Sequence, residues 1–388
     1  MRVGLCVTVL SVVVALMCAG CDWAQYFSGP GHTSANLYEP AFTVSAGAHF
    51  ATAWSVTCEH NGCLPPLEAG GLVYVAELVG GVNPRTVVLR ALDATTGAQR
   101  WSVVFNQVDD AEFLAIGNGL AYVVLFQTGL PDEVLGFDAA NGGLQWEVSP
   151  PGATTEFGIR HENVVLDGTS LFVGATSPTR SALSAIDAGG HVVWSTNPPG
   201  MLDSVTADSG RTLYVSSHVF LTTPYAAVVP FLSGYAEPDG ALQSTIELPA
   251  QAGVIVANRL AYVGSMAIHP DTGQVVWSVP GEVISIVTNS IALTEVGNDL
   301  IARDANTGAL RWRAVGAAPT AAGTQTAAVA GALVFVAHPH VVDILSLQDG
   351  SLLGTTPPVS QDVDLVPANG HLYVDGALTL WAFAPTSV

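Results

Sequence analysis

The chain has 388 residues, 49% of them hydrophobic and only 11% charged. Forty glycines and 23 prolines argue against a mostly helical fold, and the apolar content excludes disorder. Eleven basic side chains, all of them arginine, face 32 acidic ones for a net charge of −21, so the basic footprint of a nucleic-acid binder is missing.

Residues 1–20 read as an export signal. Arg2 precedes an apolar run from Val3 to Met17, fifteen residues long. A bilayer-spanning helix needs roughly 20 residues, and a signal-peptide core about 7–15. Cys18, Ala19, Gly20 and Cys21 follow. The segment resembles a bacterial lipoprotein signal, whose pattern implies cleavage before Cys21 and lipidation of its thiol. Cys18 stands where that pattern prefers Leu, and Leu16 lies two positions earlier. An ordinary secretory signal with an incidental Cys21 is the other reading. The expected product is exported and held by lipid at the cell membrane or outer membrane, facing the periplasm or the exterior. Asp22 after Cys21 is, in some bacteria, an inner-membrane retention signal.

Residues 21–49 read as a lead-in and residues 50–388 as one domain. Phe50 to Val56 is a strand carrying Trp54, with no partner nearby in sequence. Cys58 and Cys63 then bracket Glu59-His60-Asn61-Gly62, and Asn-Gly is a strong turn pair. Such a turn brings two Cα atoms within disulfide range, and export supplies an oxidising compartment. A Cys58–Cys63 bond is therefore expected. The competing metal site, with His60, lacks a fourth ligand nearby.

From residue 71 a two-part phrase recurs. A strand of the type Gly71-Leu72-Val73-Tyr74-Val75 leads into Ala91-Leu92-Asp93-Ala94-Thr95-Thr96-Gly97 and then Trp101. Further copies carry Trp146, Trp194, Trp277 and Trp312, while two degenerate copies place Ser244 and Gly354 there. The positions 101, 146, 194, 244, 277, 312 and 354 give steps of 45, 48, 50, 33, 35 and 42. Periods near 40 with several short strands per unit mark a β-propeller. The Asp-x-x-Thr-Gly stretch reads as a hairpin whose Asp bonds its own turn and whose Gly takes positive φ. The last unit, Asn369 to Phe383, lacks its outer strand, and the orphan Trp54 strand can supply it. The expected fold is all-β: eight four-stranded blades, with the N-terminal strand closing the ring and removing two exposed edges.

The phrase Ala-x-Asp-x-x-Thr-Gly-x-x-x-Trp resembles the tryptophan-docking repeat of the pyrroloquinoline-quinone (PQQ) propeller superfamily. Asp22-Trp23-Ala24-Gln25-Tyr26-Phe27-Ser28-Gly29, with Asn36 and Glu39, resembles the lead-in of many members. The resemblance implies eight blades and docking roles for Trp54, Trp101, Trp146, Trp194, Trp277 and Trp312. The superfamily includes quinoprotein dehydrogenases and cofactor-free members. Among the latter is the propeller lipoprotein of the outer-membrane β-barrel assembly machine, a scaffold.

Catalytic features are thin. The vicinal cysteines of the larger alcohol dehydrogenases are absent, there is no lysine for a quinone, and no Cys-x-x-Cys-His haem site occurs. His338-Pro339-His340 with Asp343 reads as a polar loop. Asp109, Asp110 and Glu112, and then Asp362 and Asp364, read as solvated acidic loops on the face that carries the Cys58–Cys63 link, and that face is the expected binding face, for a basic partner. The expected function is a monomeric, non-catalytic, membrane-tethered scaffold that binds an envelope protein, without cofactor or metal. The alternatives are a PQQ- and calcium-dependent or metal-dependent dehydrogenase, and a carbohydrate- or peptide-binding sensor.

Overall fold

A computed structural model describes residues 22–386, except 59–61, 81–83, 128, 154–157, 178–179, 209–210, 222–226, 322, 324, 361–362 and 377. The expected signal segment, the lipidation residue Cys21 and the acidic residue Asp362 lie outside the described residues.

Eight antiparallel blades form a ring. Blades one to seven span residues 67–108, 110–148, 159–196, 201–247, 254–278, 283–314 and 327–355. Blade eight is composite. Val363–Ala368, His371–Gly376 and Thr379–Pro385 supply three strands, and Phe50–Thr57 adds the outermost. Trp54 pairs with Ala382 and Thr57 with Thr379 in antiparallel register. The innermost strands lie side by side around the ring, with Leu67–Ala69 next to Val363–Ala368 at the closure. Every inner edge is thereby covered.

The second strand of each blade is buried on both faces, because neighbouring blades pack against it from either side. Leu120–Phe126 shows the consequence, a run of apolar residues rather than an alternation. Outer strands are wetter, and Leu242–Glu247 alternates between exposed and half-buried positions.

The repeat phrase builds the contacts between blades. Asp93 Oδ1 accepts from the Thr95 and Thr96 amides at 3.1 and 2.9 Å and from the Thr96 hydroxyl at 2.8 Å. Asp304 makes the same three bonds with Asn306 and Thr307. Each docking indole donates to a backbone carbonyl of the next blade: Trp54 to Ala94, Trp101 to Ala139 and Trp146 to Ala188, each at 2.9 Å. Trp194 donates to Glu237, Trp277 to Ala305 and Trp312 to Leu347 at 2.8–3.0 Å. Trp54, Trp101, Trp277 and Trp312 are buried, while Trp146 and Trp194 are half-buried.

Two blades lack this tryptophan. At blade four Ile246 reaches the next turn, 3.3 Å from where a Gly273 Cβ would sit. At blade seven the lead-in fills the slot. The turn Ala46–Ala48 packs there, and a Cβ on Gly354 would fall 2.8 Å from the Gly47 carbonyl oxygen.

The rest of the lead-in closes one end of the central channel. Trp23 is fully buried, and its backbone exchanges two hydrogen bonds with Glu68 of blade one at 2.8 and 3.0 Å. The Ala24 carbonyl accepts from Ile116 of blade two, and Gln25 grips Leu166 of blade three by both ends of its amide. Pro30, Gly31, Thr33 and Ser34 then accept from Ala207, Val256, Val287 and Val329 of blades four to seven. Ala35–Asn36 ends the circuit as a short parallel strand on blade seven. So tight a course puts Phe27, Ser28, His32 and Ser34 in the left-handed region, at φ of 51–56°.

Candidate functional site: a one-ended channel

All these lead-in contacts fall near the C-terminal ends of the innermost strands. They therefore seal the face on which the first hairpin of each blade turns. On the opposite face, where the links between blades emerge, nothing among the described residues crosses the channel. The result is a cup of about 330 Å³. Phe27, His32 and Ser34 of the lead-in form its floor, and the innermost strands of blades three to seven form its wall. Blade four rises above the rim as a long hairpin, Thr212–Leu221 against Ala227–Ala236, with Phe220 55% and Val228 41% exposed. Blade five, with Leu260–Val263 and Met266–Ile268, is low.

The wall is acidic. Glu162, Asp203 and Glu295 line it. His161 sits beside them, with Nδ1 3.6 Å from Glu112 and Nε2 3.1 Å from Glu162. Burial opposes the imidazolium, yet the two carboxylates hold the His161 pKa up at about 9. Its ring stacks on Tyr26 with centroids 4.3 Å apart. Asp203 accepts from His218 Nδ1 at 2.9 Å and from Gln251 at 2.7 Å. His32 is 6% exposed, and burial pulls its pKa down to about 4, so it is neutral at pH 7. One of its ring nitrogens bonds the Val164 backbone, and Nε2 has no partner among the described residues. Glu162 Oε2 and Ser285 Oγ, from the same wall, are likewise buried without a partner.

Asp110, Glu112 and Asp364 do not sit in solvated loops, as the sequence suggested, whereas Asp109 is the link residue itself. The link between blades one and two is one residue long: Gln99–Val108 ends and Asp110–Gly117 begins on either side of Asp109. Asp110 and Glu112 therefore fall on an innermost strand. Burial, with Glu112 adding repulsion, pushes the Asp110 carboxyl up to about 6. Asp364 lies on the innermost strand of blade eight, 9% exposed, and accepts from the Gln325 amide at 2.5 Å. It stands opposite Asp375, whose carboxyl is raised well above its usual range by burial and by Asp364. These groups lie toward the open face, as does the Cys58–Cys63 disulfide, whose Cα atoms are 5.6 Å apart. His338 is spent on local contacts, with Thr320 at 2.8 Å and Asp343 at 3.5 Å. Among the described residues no three His, Cys, Asp or Glu side chains are grouped to hold a metal ion.

Sequence reasoning did not pick out His32, His161, Glu162, Asp203 or Ser285. The available signal was the polar pair His161-Glu162 at the start of Ile159–Asp167, an innermost strand.

Two comparisons with known proteins give matches. The family model described as "Outer membrane protein assembly factor BamB" matches residues 48–227 and 231–380. The chain belongs to that family. Among solved structures, BamB from Moraxella catarrhalis superposes with a TM-score of 0.59 at 14% identity, covering 86% of this chain and 100% of that one. Sqt1 from Chaetomium thermophilum, solved bound to the N-terminus of ribosomal protein L10, gives 0.56 at 13% identity, covering 81% of this chain and 94% of its own. The quinohemoprotein alcohol dehydrogenase from Comamonas testosteroni gives 0.47 at 14% identity, covering 97% and 83%. At these identities the structural matches speak to the propeller fold. No curated protein matches the sequence.

BamB-type propellers share their repeat with quinone-binding ones, so the cup can be tested against that group. PQQ presents carboxylates. The cup presents Glu162, Asp203 and Glu295, and no arginine lines it among the described residues. The nearby cation, His161, is already held between two carboxylates. Without a cation between them the cup's carboxylates repel a polyanionic quinone, and among the described residues no three His, Cys, Asp or Glu side chains are grouped to hold one.

Proposed function

We propose that this propeller is a non-catalytic scaffold of the bacterial envelope, anchored by lipid on Cys21, which docks a protein partner on its open face. The observation carrying this reading is the asymmetry of the disc. One face is sealed by the lead-in. The other combines an acidic cup with the tall blade-four hairpin and its exposed Phe220 and Val228. Rigid blades with uneven loops suit a binding role, since loops vary while the scaffold holds. Membership of the BamB family supports an envelope setting and a scaffold role. The reading requires no quinone and no metal.

Photo-crosslinking in the native envelope tests it. A photoreactive residue at Phe220 should capture a defined envelope protein, and one at Asn289 on the sealed face should not. Capture from position 220 should fail in a chain that also carries Val228→Asp on the same hairpin. Capture from Asn289 alone would refute the docking face.

A further inference from the structure

Three residues that line one small cup each carry a buried polar atom with no hydrogen-bond partner among the described residues: His32 Nε2, Glu162 Oε2 and Ser285 Oγ. An unmade hydrogen bond on a buried polar atom is costly, so three around one cavity call for an explanation. All three can accept. His32 is bonded to the Val164 backbone through one nitrogen, which leaves Nε2 a free lone pair. Burial raises the Glu162 pKa, but its pairing with His161 through Oε1 lowers it below the ordinary value, so Glu162 is a carboxylate whose Oε2 is still to be matched. Ser285 Oγ carries lone pairs besides its proton.

The missing group is therefore a donor, and the surroundings favour a positive one. Asp203 and Glu295 add carboxylates to the wall. Phe27 offers an aromatic face at the floor, 5.6 Å from the His32 ring between centroids. Cations are attracted to such faces, the more so when desolvated. Acceptors, carboxylates and an aromatic face together match a group with several N–H donors and one positive charge. An anion would meet repulsion, and an apolar group would leave every acceptor unmet.

We propose that the cup is a recognition site for a guanidinium or primary ammonium group. As a deepening of the scaffold reading, it rests on that reading for the source of the group, a basic side chain from the docked partner. A free polyamine would bring the same chemistry. His32, Glu162 and Ser285 accept its N–H groups, and Phe27 covers its face.

The test is calorimetric titration of the full chain, purified in detergent, with defined probes. The probes are the blocked peptide Gly-Arg-Gly, its citrulline counterpart, spermidine and sodium benzoate. Saturable one-to-one binding of the arginine peptide, at least tenfold tighter than the citrulline peptide, is expected. Benzoate should give no heat. Stronger binding of spermidine than of the arginine peptide would keep the site and assign it to a free amine. Glu162→Gln should weaken binding at least tenfold. Should that variant fail to fold, Glu295→Gln at the rim should weaken it about threefold. Equal binding of citrulline and arginine peptides, or no binding of any cation, overturns the proposal. Crosslinking through Phe220 is read separately. A captured partner with an unresponsive cup leaves the scaffold standing and removes the cation site. A cup that binds cations with nothing captured does the reverse.

Discussion

The indole of Trp101 lies flat on Gly142 of the next blade, where a Cβ would come within 2.7 Å of the ring. The same relationship recurs from Trp54 on Gly97 to Trp312 on Gly350, with hypothetical Cβ distances of 2.6–2.8 Å at these two turns. The repeat glycine is thus fixed twice, by a positive φ and by the neighbouring ring. Gly119 separates the two causes, since its φ is +76° and nothing lies within 4 Å of its Cβ position. Gly119→Ala should cost about 1 kcal/mol, from backbone strain alone. Gly142→Ala should cost a further 1–3 kcal/mol or so, because the overpacked ring must move. Trp101→Ala should lose about 3–5 kcal/mol. Denaturant unfolding of the three variants checks the order, and equal losses for the two glycines would contradict it.

The lead-in is as much a part of the fold as any blade. Trp23 is fully buried, and residues 24–36 bond to blades two to seven in turn. Trp23→Ala should cost about 3–5 kcal/mol, like other large buried aromatics. Limited proteolysis under native conditions should leave residues 22–36 intact. Rapid cleavage there without loss of the propeller would show the circuit to be dispensable.

Stability should peak in mildly acid solution. Glu68 is fully buried, and burial, with Asp22 adding, pushes its carboxyl up to about 8 from 4.5. Between those pH values the folded state keeps a proton the unfolded chain has released, so stability falls as pH rises. His161 acts in the same direction. Its pKa near 9 exceeds 6.5, so its contribution is complete below pH 6.5 and lost as pH climbs toward 9. His32 works oppositely: held at about 4, it must take up a proton on unfolding, and stability falls as pH drops from 6.5 toward 4. Asp110 and Asp132, both raised to about 6, and Asp375 act in the same direction as Glu68, so the melting temperature should be highest at roughly pH 4–5 and decline steadily to pH 9. Glu68→Gln should flatten the decline up to pH 8, and His161→Gln the part from 6.5 to 9. A melting temperature that rises from pH 6 to 9 would contradict the assignment.

The blades were legible in the sequence because their cause is local and repeated. An Asp that bonds its own turn, a Gly, and a Trp four residues later recur in one order at Trp101, Trp146, Trp194 and Trp312. Closure was legible because Trp54 had no partner and the last unit had no outer strand. The cup was not legible, for physical reasons. Its floor and wall come from the lead-in and from the innermost strands of five blades, so no window of sequence contains the site. The misplaced acids show the same limit. Asp110 and Glu112 look like loop residues by composition, and only the one-residue link at Asp109 draws them onto a strand. The slot at Gly354 likewise reads as a degenerate repeat until Ala46–Ala48 is seen to fill it.

Orientation at the membrane follows from how little chain separates the proposed lipid from the fold. Trp23 is bonded on both sides of its peptide to Glu68 at the sealed face. Cys21 is two residues away, a reach of at most ~7 Å. With lipid on Cys21, the disc has no leash. It must sit with the sealed face toward the bilayer and the cup turned away, presenting Phe220 to a partner rather than to lipid. Two positions report this. Asn289 is exposed on the sealed face, and Val283, 59% exposed, stands at the cup. A fluorophore at each, in protein reconstituted into vesicles carrying a headgroup quencher, reads the distance. Strong quenching is expected at Asn289 and little at Val283. Equal quenching at the two sites would mean a flexible tether, and stronger quenching at Val283 would invert the disc and remove the cup from any soluble partner's reach.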